Sequence, residues 1–340
     1  MTTRIPRTLV CLPVQNGAAW LPEVLDALVA QTQPNLELIV WDNASEDATA
    51  DIVRRYPTIR LTRSEGNIGP WAVFERVFGS SDAEYLVALT DVILAPAYIA
   101  ESVNALEREP DLGAVQGKLY RMDTVAGAFR RTNIIDAAGF KIGRSRRLTI
   151  LGHGQPDGGR WDKPMDIIGV EGAAPVFRRA AWEDCRIHGT VLDPDFRVGS
   201  IGYGDDLDIA WRMSLFGWRQ AFIPSAQGWH DRSTTKDTAL SMASSLARRS
   251  IRQRIPLLKR RLVWSNVRFA MMKNERLWDV VRDFPRILIR EAATQAYLCA
   301  FEPAVLKEWG RFLRLLPRML RRRRAIQRRA RKSSLKAFLT

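Results

Sequence analysis

The 340 residues, 46% hydrophobic and 26% charged, have the composition of a globular protein and suffice for one large domain or two. Three widely separated cysteines (Cys11, Cys185, Cys299) with no CxxC spacing exclude a disulfide framework and a structural zinc site, and fit a reducing compartment. The net charge of +15 is unevenly spread: residues 246–340 hold 26 Lys and Arg against 6 Asp and Glu, leaving a mildly acidic body and a tail suited to an anionic partner.

The amino terminus, MTTRIPRTLV, lacks the long apolar stretch of a secretory signal. Thr8–Val14 is a short apolar run stopped by Gln15-Asn16-Gly17, which predicts a buried strand and a turn. Leu21, Val24, Leu25, Leu28 and Val29 recur at helical spacing. LELIVW (Leu36–Trp41) predicts a second strand, and the polar cluster after it opens a helix running toward Tyr56. TIRLT (Thr58–Thr62) predicts a third strand, EGNIG a loop, Trp71–Phe78 a helix and Tyr85–Leu89 a fourth strand. The near-apolar run Tyr85–Ala100 is broken by Thr90, Asp91 and Pro96 and is short for a bilayer span, so no segment is expected to cross a membrane. Strands alternating with helices predict an α/β fold with a mainly parallel sheet. Ligands of such sheets bind beyond the carboxyl ends of the strands. Gln15-Asn16, Asp42-Asn43 and Thr90-Asp91 occupy three such ends, which predicts one site along one edge.

Periodicity weakens from Asp123 to Pro164, where LGHGQPDGGRWDKP predicts a mobile loop. Ile167–Trp182 returns to strand, turn and helix. GYGDDLDIAWR (Gly202–Arg212) then concentrates three aspartates. Leu207, Ala210, Trp211, Leu215 and Trp218 form one apolar helical stripe, and Gly217 suits its end. Asp205 or Asp206 is expected at the N-cap and Asp208 in the first turn, where free N–H groups and the helix dipole favour negative charge. That accounts for one or two carboxylates and leaves a third for chemistry. Gln220–Asp231 predicts a strand closing at His230. Basic helices follow from about Ala243; Trp309, Phe312, Leu313, Leu316 and Leu320 form a stripe, with Arg311, Arg314 and Arg318 elsewhere on the wheel.

Six motifs occur in one order between Pro13 and His230: PVQNGAAWLPEVLDALVAQT, LIVWDNASEDAT, GNIG, LTDV, GYGDDLDIAWRMSLFGWR and PSAQGWH. In that order the chain resembles family 2 glycosyltransferases of the GT-A fold, especially bacterial enzymes of the rhamnosyltransferase type. The resemblance implies a nucleoside diphosphate sugar donor and a divalent cation that neutralises the leaving diphosphate. The family's Asp-x-Asp stands here as Leu89-Thr90-Asp91, with only the second carboxylate present. His230 matches a histidine that ligates metal in some relatives. Asp91 and His230 are thus the implied ligands of Mg²⁺ or Mn²⁺, held largely by the nucleotide. The alternatives are a strand-end Asx turn for Asp91 and a surface role for His230. Asp42 matches the aspartate that recognises a pyrimidine, and Pro13, Val14 and Asn16 match the loop beneath the nucleotide. Asn67 and Gly69 match a nearby loop, and Thr90 and Asp91 complete the donor side. Asp42, Asn43 and Ser45 equally suit capping of the next helix.

An inverting transfer needs a base for the acceptor hydroxyl. The resemblance assigns it to Asp206, a role worth typically ~10²–10⁴-fold, with Asp205 in place of the more usual Glu. Repulsion between the two is expected to raise one pKa. Asp205 is expected to cap the helix and border the acceptor, and Asp208 to have no special role. Glu171 and Gly172 match the loop beside acceptor and sugar, where small residues permit close approach. Arg212 suits either the diphosphate or solvent.

The expected organisation is a GT-A domain over residues 1–245 and a basic, amphipathic, membrane-associating helical extension over 246–340. Its arginines suit an anionic leaflet, at about 1 kcal/mol each, and no nucleic-acid-binding motif accompanies them, so nucleic acid is not expected. The resemblance implies a cytoplasmic enzyme, peripheral at the inner face of the plasma membrane, acting in cell-surface polysaccharide synthesis. It moves a sugar, rhamnose in the first instance, from a dTDP- or UDP-sugar to a hydroxyl of a glycan or polyprenyl-linked glycan. The missing Asp prompts the competing expectation of a non-catalytic nucleotide- or glycan-binding scaffold at the membrane.

Overall fold

A computed structural model describes residues 5–125, 128–231 and 252–331. The first part alternates as expected: β1 (Thr8–Val14), α1 (Leu21–Val29), β2 (Leu36–Asp42), α2 (Thr49–Val53), β3 (Ile59–Arg63), α3 (Pro70–Gly79) and β4 (Tyr85–Ala88). Next come β5 (Val92–Leu94), α4 (Tyr98–Arg108), β6 (Leu112–Val125), β7 (Ala128–Ala137) and the hairpin β8 (Phe140–Ile142) and β9 (Leu148–Ile150). β10 (Met165–Ile167), β11 (Val176–Arg178), α5 (Arg179–Asp184), β12 (Arg197–Val198), β13 (Ile201–Gly202), α6 (Asp205–Leu215) and β14 (Arg219–His230) complete the α/β body. The carboxyl-terminal part is helical: α7 (Leu257–Asn274), α8 (Leu277–Phe301), the short α9 (Pro303–Leu306) and α10 (Glu308–Arg329).

Among the described residues, ten strands form one sheet in the order β10-β14-β6-β11-β4-β1-β2-β3, with β5 on β14 and β7 on β6. The expected parallel sheet holds for β4, β1, β2 and β3. The second half is mixed: β11 runs against both β4 and β6, and β6 and β7 form an antiparallel hairpin. Both departures fall where the local sequence pattern is weak. β11 is only three residues (VFR), too few to show alternation, and β7 (AFRRTNIIDA) carries exposed Arg130 and Arg131 in its first half. The segment expected as a mobile loop is pinned to the body. Its Trp161 is buried, Tyr120 Oη donates to Asp157 (2.7 Å), and the buried Lys118 reaches Asp157 (2.9 Å) and Asp162 (2.6 Å).

β1 shows how the sheet makes two cores. Leu9 and Cys11 join one apolar cluster with Phe74 and Phe78 of α3. Val10, Leu12 and Val14 join the other with Leu21, Val24, Leu25 and Leu28 of α1. Successive side chains leave opposite faces of a strand, so a run apolar at nearly every position is covered on both sides.

The carboxyl-terminal helices share the first of these clusters through Trp264, Phe269, Phe312, Leu315, Met319 and Ile326, and Phe269 and Phe312 stack at 4.8 Å. The stripe expected on α10 is therefore corrected. Its buried face is Phe312, Leu315, Met319 and Ile326, whereas Trp309, Leu313 and Leu320 point outward. The expected boundary at 245–246 lies outside the described residues. Among the described helices, none is long and apolar enough to cross a membrane.

Candidate active site

Because β4, β1 and β2 are adjacent, their carboxyl ends set Thr90-Asp91, Pro13–Asn16 and Asp42-Asn43 in a row, with Val14 level with Asp42. Val14 turns its side chain into the core, and its carbonyl accepts from Asn43 N (2.7 Å). Pro13 is half-buried and Asn16 exposed. Asn16 adopts φ 50; its N–H donates to Ser45 Oγ (2.9 Å) and its Oδ1 accepts from Glu46 N (2.9 Å). Asp42 is fully buried: Oδ1 accepts from Ser45 N (2.8 Å), and Oδ2 lies 3.2 Å from Arg63 Nε. The helix-capping alternative for Asp42 is overturned: the next helix starts at Thr49 from Ala48 with no side-chain cap, Asp42 instead closes a turn to Ser45, and Arg63, which no motif marked, is its ion partner. Asn67 donates to Gln15 Oε1 (2.5 Å) and accepts from Gly69 N (2.8 Å). Gly69 has φ 78, and a Cβ there would fall 2.2 Å from the Ser200 carbonyl oxygen, so the position admits only glycine.

His230 is buried at the end of β14, which overturns its surface alternative. Its Nε2 lies 3.4 Å from Asp91 Oδ1, and its Nδ1 lies 2.9 Å from Asp136 Oδ2, a buried carboxylate on β7 that the sequence reading missed. Burial alone would push the imidazole down; its bonds to Asp136 and Asp91 instead hold it up at about 10. Burial would raise Asp91, but the same histidine holds it below the usual carboxylate range. Among the described residues, no group of three or more His, Cys, Asp and Glu is placed to hold a metal ion. The pair fits a cation shared with a diphosphate. One imidazole nitrogen faces one 40%-exposed carboxylate, and a buried carboxylate behind the ring fixes its orientation, as is usual for metal-ligating histidines. This mixed nitrogen and oxygen set suits Mn²⁺ better than Mg²⁺.

Asp208 lies in the first turn as expected, but the aspartate turn departs from expectation in its cap and in the surroundings of Asp205 and Asp208. The N-cap of α6 is Gly204, and Asp205 is the first helical residue with no capping bond. Asp205 is buried, and neither carboxylate oxygen has a hydrogen-bond partner among the described residues. Burial pushes it up to about 7, against the pull of Arg197 and with smaller contributions from Asp208 and Asp206. The raised carboxyl is therefore Asp205, and desolvation outweighs repulsion as the cause. Asp208, expected to be idle, is buried and accepts from Arg212, from Lys273 Nζ (2.8 Å) and from Asn274 Nδ2 (2.6 Å). Arg212 faces neither diphosphate nor solvent; it also donates to the carbonyls of Cys185 (2.6 Å) and Val191 (2.9 Å). From α7, Asn266 holds the turn by donating to Phe196 O (2.7 Å) and Tyr203 O (2.8 Å). The single apolar stripe is also corrected: every residue of α6 except Asp206 is buried. Gly217, at φ 97, ends the helix as expected.

Asp206 opens into a cavity of about 590 Å³. Thr90, Asp91, Glu171, Gly172 and His230 line the same cavity, so six of the expected residues converge. Pro13, Val14, Asn16, Asp42, Asn67, Gly69 and Asp205 are not in its lining. Pro70 and Trp71, directly after Gly69, join the two groups. Gly172 is small because Trp71 covers it: a Cβ there would lie 2.8 Å from the indole and 3.7 Å from Asp206 Cβ. Glu171 Oε2 accepts from Ala173 N (3.1 Å), and its own N–H donates to Gln116 Oε1 (2.7 Å). Trp71, Tyr203, His153, Leu148 and Ile150, with Lys259 and Val267 of α7, complete the walls. Apart from Tyr203, which falls within the aspartate motif, no motif marked these residues, because they come from segments that meet only in the fold.

A row of polar strand ends, an imidazole–carboxylate pair and one carboxylate opening into a cavity form one candidate site on the α/β sheet, and by its similarity to known proteins the chain is a glycosyltransferase of the GT-A fold. The model of the glycosyl transferase family 2 matches residues 9–183, and the chain belongs to that family. Asp206 and His230 lie beyond the matched residues. The chain is similar to the N-acetylglucosaminyl-diphospho-decaprenol L-rhamnosyltransferase of Mycobacterium tuberculosis, with 26% identity over 258 residues, covering 66% of this chain and 76% of the relative. A shorter match, 39% over 107 residues, covers 31% of this chain and 34% of an uncharacterised glycosyltransferase of Rickettsia typhi. Among solved structures, GalNAc-T7 with UDP, GalNAc and Mn²⁺ superposes with a TM-score of 0.56 at 12% identity, over 80% of this chain and 51% of that one. The chain thus spans about half of that structure, and the likeness is one of fold.

Proposed function

We propose that this glycosyltransferase moves a sugar, with inversion, from a pyrimidine nucleoside diphosphate to a hydroxyl of a lipid-linked glycan at an anionic membrane face. The observation that carries the reading is the position of Asp206: it is the one residue of α6 left unburied, and it shares its cavity with Asp91 and His230. Asp206 takes the acceptor proton as the hydroxyl attacks the anomeric carbon. Asp91 and His230 are the residues that would hold a divalent cation, whose chemistry is to neutralise the departing diphosphate. Asp42, tied to Ser45 and Arg63, forms the floor of the base position. Trp71 offers a flat apolar face to a sugar ring beside Gly172 and Glu171. Rhamnose as the sugar and a polyprenyl-linked acceptor are supported by the name of the mycobacterial relative.

The test offers dTDP-rhamnose, UDP-sugars and GDP-mannose, with and without Mn²⁺, together with a polyprenyl diphosphate-linked N-acetylglucosamine. Release of dTDP and an inverted product anomer are expected. Asp206→Asn is expected to lower kcat by about 10²–10⁴-fold while calorimetric donor binding persists. Folded protein that binds no pyrimidine diphosphate overturns the reading.

A further inference from the structure

The helix α8 is amphipathic in the reverse sense for a globular protein. Its buried residues include Asp279 and Asp283, whereas Leu277 (70% exposed), Trp278 (66%), Val281 (56%), Phe284 (53%), Leu288 (53%) and Ile289 (70%) face outward. Ala292, Ala293, Ala296, Cys299 and Ala300 are exposed as well, extending an apolar strip along a 25-residue helix, about 37 Å of length. An apolar surface of this extent on a folded protein marks a docking face.

The charges choose its occupant. All six acidic residues of 246–340 are ion-paired, and five of them are buried. Glu275 and Asp283 meet Arg146, Asp279 meets Arg282 (3.0 Å), Glu291 meets Arg268 (2.5 Å), Glu302 meets Arg260 (2.9 Å) and Glu308 meets Arg311 (2.8 Å). The outward surface of this region is left with apolar groups and cations. Arg286 lies exposed on α8, and Arg314, Arg321 and Arg324 lie exposed on α10. The two helices are neighbours there, since Leu277 and Trp278 share a groove with Leu320 and Arg324. A second copy of the chain on this face would set arginine against arginine. An anionic bilayer satisfies both chemistries, taking the aromatic and aliphatic side chains into its interface and the arginines at its headgroups.

We propose that the outward face of α8, with the adjoining rim of α10, is the surface on which the protein lies on anionic lipid. This deepens the membrane reading given above and rests on it. The face is also tied to the active-site cavity. The buried Arg146, in the turn between β8 and β9, grips Glu275 and Asp283 (2.8 Å), while Arg144 reaches Asp283 (2.7 Å). The same hairpin brings Phe140, Leu148 and Ile150 to the cavity wall. Docking through α8 therefore holds that wall against the bilayer, where a lipid-linked acceptor resides.

The experiment is flotation of the full chain with vesicles of phosphatidylcholine alone or mixed in equal parts with phosphatidylglycerol, without donor or acceptor. Wild type is expected to float with the anionic vesicles and to release as salt rises. The combined variant Trp278→Asp, Leu288→Asp, Ile289→Asp is expected to lose partitioning by tenfold or more, while Val29→Asp on α1, a helix on the opposite face of the sheet, costs little. All four side chains are exposed, so circular dichroism is expected to show native melting. Equal flotation of wild type and the combined variant overturns the α8 face and spares the membrane reading. Failure of wild type to float overturns both, and a dimer that the combined variant converts to monomer reassigns the face to a second copy.

Discussion

Asp205 and Asp206 are adjacent in the chain and opposite in environment. Asp206 reaches the cavity, while Asp205 is sealed beneath it, lifted by burial to about 7. The adjacent acid pair at a helix start was plain in the sequence. Which acid was buried was not, because α7, about 60 residues away, encloses the helix, and no local pattern carries that information. The raised value has a consequence for stability. Between the unfolded value, 3.8, and about 7, the folded protein keeps a proton that the unfolded chain has released. Stability from this group is thus complete below about pH 4 and is lost as pH rises through 7. Asp205→Asn removes the titration with little change in shape. Its melting temperature is expected to exceed that of wild type at about pH 8, where the buried charge costs on the order of 1–3 kcal/mol, and to match it near pH 4. Calorimetric scans across this range check the slope; parallel profiles for the two proteins count against a buried, raised Asp205.

Among the elements, α6 carries the proposed base, Asp206, and it is held from α7. Lys273 bonds Asp208 (2.8 Å) and Asp193 (2.6 Å), and Asn274 bonds Asp208 (2.6 Å). Burial pushes Lys273 down to about 8, with Asp208 opposing. These contacts make Lys273 a positioning residue: it fixes the first turn of α6, which carries Asp206. Lys273→Met keeps the volume and removes the cation, leaving a buried carboxylate pair short of one partner. A loss of about 3 kcal/mol in urea unfolding is expected. A lower kcat is expected too, with donor affinity unchanged, because the row of strand ends at β1 and β2 lies outside the network. A purely structural lysine would lower the midpoint and spare kcat in the folded fraction. The elements best read from sequence were those with long periods or firm stops, such as β1, α1, α6 and β14. β11 escaped because it is three residues long and is defined by pairing with the remote β4 and β6, and the β6–β7 hairpin escaped because exposed Arg130 and Arg131 break the alternation of β7.

On the scale of the whole molecule, the acidic body and basic tail were plain from charge, but charge does not say which helix face is inward. Arg322 of α10 pairs with Asp193, Arg318 with Asp195 (2.8 Å) and Arg329 with Asp184 (2.8 Å), so part of the cationic run is bonded to the body and not free for a membrane. Phe312 stacks on Phe269 within the same apolar cluster that holds Phe74 and Trp211. Residues 1–245 and 246–340 are accordingly proposed to fold as one cooperative unit, with the helical part completing the core of the transferase. Phe312→Ala is expected to cost about 3–5 kcal/mol. The cost should appear in both parts at once: helix loss by circular dichroism and loss of nucleotide binding should shift together to lower urea. If nucleotide binding outlasts the helical transition in the variant, the extension is a separate domain, and Lys273 and Asn266 do not hold the turn that carries Asp206.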